Sequence, residues 1–293
     1  MVDPMTCKNK SFEGFYKKTV AQRHDIFRKN FQDSSIEILK SGGLTTEYAN
    51  LMVENCIGKI SLPLGLGLHF VINGNRFSIP MAIEEPSVIA AASGGAKFIA
   101  ENGGGFLAFS SKPTMIGQIQ LVDLDVTAGQ YIIEHNRNEI IRRCNLFCQN
   151  MLKRGGGVYD FRCKKLEIPE EYRQAGQKFQ SMLIFEFMVN VCDSMGANLV
   201  NTIAEGVSPY LQALTGGRVA LRILTNLCSE RRTISFFKIP INKMAYKQYS
   251  GREISQRVIE AYLFAKLDPY RAATHNKGIF LIRLKFSRDN EWN

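Results

Sequence analysis

The residues Ile79-Pro-Met-Ala-Ile-Glu-Glu-Pro-Ser-Val-Ile-Ala-Ala-Ala-Ser93 predict a short strand that runs directly into a helix. Pro86 suits the first position of that helix, because its φ is already helical and its missing N–H costs nothing there. The side chains after Ser87 are apolar or very small on every side, which is typical of a buried helix. Two carboxylates, Glu84 and Glu85, therefore lie where a strand gives way to a buried helix. Taken alone, the stretch favours two carboxylates that face water and complement the helix dipole.

The composition is that of a globular protein with one large or two ordinary domains. The chain has 293 residues, of which 45% are hydrophobic. No apolar run is long enough to span a bilayer, and the first ten residues lack the apolar core of a signal peptide. The seven cysteines are scattered and odd in number, which argues against a disulfide framework and favours a reducing, cytoplasmic location. No zinc-like spacing is present, so we expect no metal site.

The net charge is strongly positive, because 37 Lys and Arg oppose 27 Asp and Glu to give +10. Such an excess could serve a nucleic acid, an acidic surface or a polyanionic small ligand. The basic residues are spread over the chain and no nucleic-acid-binding motif accompanies them. We therefore rank a nucleic-acid-binding protein last among three functional hypotheses and expect no nucleic-acid partner.

The order of the predicted elements indicates an α+β protein. Between about residues 110 and 230 the predicted order resembles the β-α-β-β-α-β of a ferredoxin-like, or split βαβ, sandwich. This segment includes one long helix over residues 127–153. After Asn198 it predicts a helix that continues through Ala204 and a second helical segment over Ser208–Leu214. The regions on either side predict a larger mixed α/β domain that contains the buried helix. Within it, Asn73-Gly74 predicts a hairpin turn between two strands. We expect domain segments at 1–111, 112–228 and 229–293, the first and third forming one domain.

Two polar stretches are candidates for binding. Asp193–Asn198 follows an apolar strand and opens a helix, where free N–H groups could hold a phosphate. It is not a G-x-G-x-x-G sequence, so a Rossmann site is not indicated, and a closely packed helix start is the alternative. Asp268–Gly278 is rich in hydrogen-bonding groups and predicts a turn at Asp268–Arg271; Lys277, just before Gly278, could stabilise an oxyanion. The alternative there is a solvated basic loop.

Five stretches, taken in order, resemble the signature motifs of 3-hydroxy-3-methylglutaryl-coenzyme A (HMG-CoA) reductase. They are Glu54–Gly58, Pro80–Ser93, Asp193–Thr202, Leu221–Asn226 and Asp268–Gly278. The Glu-Glu-Pro-Ser sequence and the lack of predicted membrane spans are similar to the class II type. The resemblance extends from about residue 11 to residue 279. It implies two hydride transfers from a nicotinamide cofactor to HMG-CoA, which yield mevalonate and free CoA in the mevalonate pathway of isoprenoid biosynthesis.

The resemblance also implies roles for individual residues. Glu85 would be the catalytic acid, with a pKa raised by burial, and Lys277 would stabilise the oxyanion at the thioester carbonyl. The HMG portion of the substrate would be bound by Ser87, Arg271 and Asn276 in the large domain. The cofactor would be bound in the inserted domain by Cys148, Asp193, Met195, Gly196, Asn198 and Asn226. The family further implies a homodimer with its active site between the subunits.

The chain departs from the family pattern in two respects. After Ile279 the resemblance stops before the family's catalytic Asp motif and its C-terminal flap with a catalytic His, so we expect an incomplete chain. The alternative is a truncated, non-catalytic homologue that binds cofactor or dimerises with a full-length subunit. Cys148 occupies the position where NADH-specific members place an Asp, and Arg142, Arg143, Lys153 and Arg154 are near it in sequence. The loss of a carboxylate beside basic groups favours NADPH, with NADH as the alternative.

Overall fold

The structure is a computed structural model that describes residues 12–28, 33–173 and 180–282. The chain divides into two compact units. Within the described residues, the first unit comprises those before Phe109 and those from Ser235 to residue 282, and the second unit is the segment Phe109–Ile234. The predicted outer segments, 1–111 and 229–293, include residues 1–11 and 283–293, which lie outside the described residues.

The first unit consists of helices around one β-hairpin. Its elements before the second unit are α1 (Val20–Arg28), α2 (Asp33–Ser41), α3 (Thr46–Met52), β1 (Leu64–Ile72), β2 (Asn75–Ala82) and α4 (Val88–Gly103). Its later elements are α9 (Gly251–Leu267) and α10 (Pro269–Ile282). Two short strands, β3 (Leu107–Ser110) and β8 (Thr233–Phe236), pair where the chain enters and leaves the second unit. Within the second unit, the hydroxyls of Ser110 and Thr233 lie 3.1 Å apart.

The hairpin is closed by a tight turn that the sequence predicts. Asn73 and Gly74 have φ values of 50° and 81°, the left-handed pair that a two-residue turn requires between right-twisted strands. The antiparallel register runs from Ile72 opposite Asn75 to Leu64 opposite Ala82, with a shift between Gly67 and Phe70. This bulge bends β1 beneath α4.

Helix α4 packs closely on β1 because the strand carries a glycine at the crossing. A Cβ on Gly65 would lie 2.5 Å from Cδ1 of Ile89, so a larger residue would require the Ile89 side chain to move. Ser93 Oγ accepts a hydrogen bond from the Leu68 N–H at 3.0 Å and donates one to the Ile89 carbonyl at 2.8 Å. These contacts fix the start of α4, and with it the β2–α4 junction that carries Glu85.

The second unit is a four-stranded antiparallel sheet covered by helices. Its elements in chain order are β4 (Thr114–Val122), α5 (Val126–His135), α6 (Arg137–Leu146), α7 (Gln149–Leu152), β5 (Gly157–Glu167), β6 (Ser181–Asn190), α8 (Ala197–Thr215) and β7 (Arg218–Thr225). The strand order β5-β6-β4-β7 is that of a split βαβ sandwich. Its core contains completely buried side chains such as Phe185 and Phe187 of β6 and Ile203 of α8. The predicted α+β class with a ferredoxin-like portion is confirmed.

The predicted burial of α4 on all sides is wrong for the described chain. Only Ala96 is buried, whereas Ala90, Ala91, Gly94 and Gly95 are exposed. One side of the helix packs on the hairpin, and no described residue covers the side with the smallest side chains. An apolar pattern shows that a surface avoids water, but it does not show which chain provides the cover.

The start of α4 also differs from the prediction, since Pro86 precedes the helix instead of opening it. Ser87 is the N-cap and has φ 70° and ψ −16°, the left-handed conformation. That conformation interrupts helical geometry between Pro86 and Val88. A non-glycine residue adopts it at a cost that neighbouring contacts must offset.

The single predicted helix over 127–153 is also wrong, because that segment forms α5, α6 and α7. Asn136 donates its side-chain amide to the Ile132 carbonyl at 2.8 Å at the first break. At the second break Asn145 accepts a hydrogen bond from the Val158 N–H at 2.8 Å and donates to its carbonyl at 2.9 Å. Asparagine side chains that bond to the backbone compete with helix continuation. Conversely, α8 continues through Pro209 where two helices were predicted.

The predicted turn at Asp268–Arg271 is wrong, because α10 begins at Pro269. The Asp268 carboxylate accepts hydrogen bonds from the Tyr270 N–H at 3.3 Å and the Arg271 N–H at 2.9 Å. Asp followed by Pro is therefore an N-cap with proline at the first helical position. The sequence contained this signal, which the abundance of polar residues obscured.

We expect Asp268→Ala to destabilise α10 by about 1 kcal/mol, because the first-turn N–H groups lose their acceptor. Asp268→Asn is the matched control and should keep most of the stability, since asparagine caps helices equally well. Thermal unfolding followed by far-ultraviolet circular dichroism measures both changes. Equal melting temperatures for wild type and Asp268→Ala would contradict the assigned cap.

Candidate functional site

An ion pair in the first unit joins two residues that the sequence singles out. Lys277 Nζ on α10 donates to Glu85 Oε2 at the β2–α4 junction at 2.8 Å, across a separation of 192 residues. The side chains are 43% exposed for Glu85 and 63% exposed for Lys277. The expected burial of Glu85 is therefore wrong for the described chain, since the junction lies at the surface beside the uncovered side of α4.

The ion pair changes the pKa of Lys277. The hydrogen bond from Lys277 to the Glu85 carboxylate raises the pKa of Lys277, and the charges of Glu85 and, to a smaller extent, Glu84 act in the same direction. Lys277 therefore remains an ammonium throughout the neutral range. A cation beside a carboxyl group can stabilise negative charge on a substrate oxygen and can supply a proton to it.

The other predicted substrate residues do not join this pair. Ser87 is exposed and makes no side-chain capping bond. Arg271 is half-buried and Asn276 exposed on α10, where the helical repeat places Arg271, Asn276 and Lys277 about a third of a turn apart. Within the described residues, no hydrogen bond or ion pair links the Arg271 or Asn276 side chain to Glu85. The helix thus presents Lys277 alone to the carboxylate.

The second unit contains a cleft of about 640 Å³ between the turn connecting α6 with α7 and the N-terminus of α8. This volume is typical of a small-molecule site. It is lined by Leu146, Phe147, Cys148, Gln149, Asn150, Met151, Arg154, Ser194, Met195, Gly196, Ala197, Asn198 and Leu199. Four of the predicted cofactor residues are in this lining. Asp193 is exposed on the same turn, and Asn226 is exposed at the end of β7, away from the lining.

Gly196 shapes the α8 side of the cleft. Its φ of 91° is left-handed, and a Cβ there would lie 2.6 Å from Cγ1 of Val191. No side chain caps α8, so the N–H groups of its first turn are available to an anionic ligand. Gly196 therefore lets the start of α8 pack closely on Val191, as in the closely packed helix start given as the alternative. The same turn also lines the cleft.

Cys148 lies in the wall of the cleft but belongs to the core. It is 3% exposed, and its Sγ donates to Asn145 Oδ1 at 3.1 Å. Burial raises the pKa of this thiol, which keeps it neutral. Cys148, at the position where NADH-specific family members place an Asp, thus adds no negative charge to the cleft.

Four polar lining residues were not predicted as site residues, namely Gln149, Asn150, Arg154 and Ser194. Arg154 had been grouped only with other nearby basic residues. The run Gly155-Gly156-Gly157 that follows it was a usable signal, because a glycine run after a helix marks a tight turn. The break at Cys148, which directs this segment toward α8, was not visible in the periodicity.

Comparisons with known proteins agree with this geometry. The family model for hydroxymethylglutaryl-coenzyme A reductase matches residues 19–287. The 3-hydroxy-3-methylglutaryl-coenzyme A reductase of Archaeoglobus fulgidus is 39% identical over 269 residues, covering 91% of this chain and 58% of the relative. A probable reductase of the same name from Borreliella burgdorferi is 28% identical over 265 residues, with coverage of 90% and 57%.

A solved structure shows the same fold. The class II 3-hydroxy-3-methylglutaryl-CoA reductase of Streptococcus pneumoniae, bound to NADPH in open conformations, superposes with a TM-score of 0.82 and 31% identity. The match covers 92% of this chain and 71% of that chain. The protein is thus of an oxidoreductase type. It belongs to the HMG-CoA reductase family.

Three further observations concern the chain and its sites. The chain spans less than three fifths of the length of the two curated relatives, 58% and 57% respectively. Among the described helices, none combines the length and apolar character needed to cross a membrane. Within the described ranges, no three His, Cys, Asp or Glu side chains gather closely enough to hold a metal ion.

We expect Lys277 to react with amine-modifying reagents at higher pH in the wild type than in Glu85→Gln. The carboxylate raises the lysine pKa, so its removal leaves more neutral amine at a given alkaline pH. Glu84→Gln is the matched control, with a smaller shift. Acetylation rates at Lys277, followed against pH by peptide mass spectrometry, measure the effect. Superimposable profiles for wild type and Glu85→Gln would contradict the ion pair.

Proposed function

We propose that this protein acts in the two-step, NAD(P)H-dependent reduction of HMG-CoA to mevalonate and free CoA, in isoprenoid biosynthesis. The observation that carries the proposal is the 2.8 Å contact between Glu85 and Lys277. These residues occur in two separate family-like stretches, and the fold brings them together. Membership of the HMG-CoA reductase family supports the same chemistry.

The proposed roles follow from the charges of the two residues. Lys277, as an ammonium, stabilises the negative charge that develops on the carbonyl oxygen when a hydride reaches the carbonyl carbon. Glu85 in its acid form then donates a proton to the aldehyde-derived oxygen, which completes the alcohol and leaves the Glu85 carboxylate paired with Lys277. Because both side chains already lie within one hydrogen bond of each other, a single substrate oxygen could reach both. Ser87, Arg271 and Asn276 are proposed for the HMG portion, Arg271 as a bidentate ligand of its carboxylate.

The cleft of the second unit is proposed as the cofactor site. Its fit rests on the left-handed Gly196, where a Cβ would meet Val191, and on the uncapped N-terminus of α8. Gly196, Met195 and Asn198 would lie against the cofactor, and the N–H groups of α8 would receive its diphosphate. When bound, the cofactor supplies the hydride.

A second copy of the chain is also proposed, as a homodimer. The first unit exposes the small side of α4 and large apolar side chains of α9, among them Tyr262, Phe264 and Leu267. Large exposed apolar side chains of this kind are typical of interfaces. Sedimentation over a concentration series tests the proposal, and a monomer at all concentrations would contradict it.

An alternative function is cofactor binding without catalysis. It is favoured by the second unit, which has its own continuous core and its own cleft. Such a unit can bind a nucleotide whether or not the substrate site turns over.

The proposed reaction predicts that the protein oxidises a reduced nicotinamide cofactor when HMG-CoA is added. The fall in absorbance of the reduced cofactor measures the rate. Glu85→Gln should lower kcat by roughly 10²-fold or more, as expected for a lost general acid. Lys277→Met should lower it by a similar factor, as expected for a lost oxyanion-stabilising group. Glu84→Gln, the neighbouring carboxylate without the ion pair, should stay within a few-fold of wild type.

The controls separate the two functions. Direct titration with reduced nicotinamide nucleotides measures binding in the absence of HMG-CoA. Binding without HMG-CoA-dependent oxidation would favour the non-catalytic alternative. Full turnover by Glu85→Gln would show that Glu85 is not the proton donor.

A further inference from the structure

The cleft of the second unit has an unbalanced positive charge. Of the described residues that line it, Arg154 is the one with a charged side chain. The remaining polar side chains in the lining, those of Gln149, Asn150, Ser194 and Asn198, are neutral amides or hydroxyls. The uncapped N-terminus of α8 adds partial positive charge to the same space. The cleft is therefore suited to a ligand that carries anionic groups at two places.

The other basic residues near the cleft in sequence are already engaged. Glu139 accepts hydrogen bonds from Nε of Arg142 and Nε of Arg143, each at 2.7 Å, and the Arg142 bond is the leading cause that lowers the pKa of Glu139 to about 2. The Arg143 guanidinium also stacks over the Tyr210 ring at 3.9 Å. Lys153 is exposed and does not line the cleft. Of these basic residues, Arg154 is the one that lines the cleft.

The backbone holds Arg154 at the cleft. Its N–H donates to the Met151 carbonyl at 3.0 Å, and its carbonyl accepts a bond from Cys192 Sγ at 3.6 Å. Gly155 follows in the left-handed conformation with φ 80°. A Cβ on Gly156 would lie 2.5 Å from the Asn190 carbonyl oxygen at the end of β6. The turn is thus tied to the strand that leads into α8, which fixes the base of the arginine relative to the helix N-terminus.

We infer that Arg154 is the residue that determines cofactor specificity by binding the 2′-phosphate monoester of NADPH. The inference rests on the proposed function and assigns one residue to a group that NADH lacks. A guanidinium matches a phosphate in a bidentate arrangement. NADH presents a ribose 2′-hydroxyl instead, for which a carboxylate is the usual partner. No carboxylate occurs among the described lining residues, and the Cys148 thiol is bonded to Asn145.

The test compares nucleotide affinities of the full chain and three variants. Dissociation constants for NADPH and NADH are measured by nicotinamide fluorescence for wild type, Arg154→Gln, Arg154→Lys and Lys153→Gln. Adenosine 2′,5′-bisphosphate and adenosine 5′-monophosphate serve as competitors that isolate the 2′-phosphate. Lys153→Gln is the matched control. It removes one positive charge from the residue next to Arg154, and Lys153 does not line the cleft.

We expect wild type to bind NADPH at least about tenfold more tightly than NADH, as a charge-assisted bond to phosphate provides. Arg154→Gln should remove most of that preference by weakening NADPH and the bisphosphate, with NADH changed less than about twofold. Arg154→Lys should retain part of the preference, since it keeps the charge without the bidentate geometry. Lys153→Gln should leave the preference intact.

Three outcomes would overturn the inference. The first is a preference of wild type for NADH. The second is an equal loss of NADPH and NADH affinity in Arg154→Gln. The third is a loss of NADPH affinity in Lys153→Gln as large as that in Arg154→Gln. In each of these cases the proposed function stands if HMG-CoA-dependent oxidation persists with either nucleotide. Binding of neither nucleotide by wild type would overturn the inference and the proposed cofactor site together.

Discussion

The contact between Glu85 and Lys277 is the interaction on which the proposed chemistry depends. It joins residues 192 positions apart, yet both side chains are partly open to water, and exposed ion pairs contribute little to stability. Other contacts must therefore hold the two residues in place. The glycine at the α4–β1 crossing and the Ser93 bridge fix the start of α4, while the Asp268 cap starts α10. The pair is the product of local packing on both sides, which leaves its charges available to a substrate.

The second unit reaches a similar result through backbone geometry. Gly196 provides no capping side chain at the start of α8, and Arg154, just before the glycine run that begins at Gly155, lines the same cleft. Burial and the bond to Asn145 keep Cys148 neutral in the wall. Arg154 and the N-terminus of α8 thus supply positive charge to a cleft whose described lining residues include no carboxylate. The first unit holds the ion pair of Glu85 and Lys277 at its surface. The second unit holds Arg154 in a cleft whose described lining contains no other charged side chain.

Local signals in the sequence predicted much of the fold. Asn73-Gly74 identified the hairpin, and the β-α-β-β-α-β order identified the split βαβ sandwich, because turn chemistry and apolar alternation are local properties. The burial of α4 was wrong because an apolar face does not state what covers it. The helix over 127–153 was wrong because Asn136 and Asn145 bond to the backbone, a competition that periodicity does not display. In the candidate site, motif resemblance identified Glu85 and Lys277, whereas Arg154 emerged only from the cavity and from the ion pairs of its neighbours.

The hydroxyl contact between Ser110 and Thr233 bears on how the first unit assembles. These residues are 123 positions apart and hydrogen-bonded, so once the second unit has folded, its two ends meet. For the first unit, the folded insertion then behaves as a short connection, and the open chain between Glu85 and Lys277 shrinks roughly threefold. Loop-closure entropy grows with the logarithm of length, so this shortening lowers the cost of joining the two residues by about 1 kcal/mol. The folded second unit can therefore favour folding of the first unit by holding the two parts of its chain close together. It can also fold before α10, the last helix of the first unit, has been synthesised.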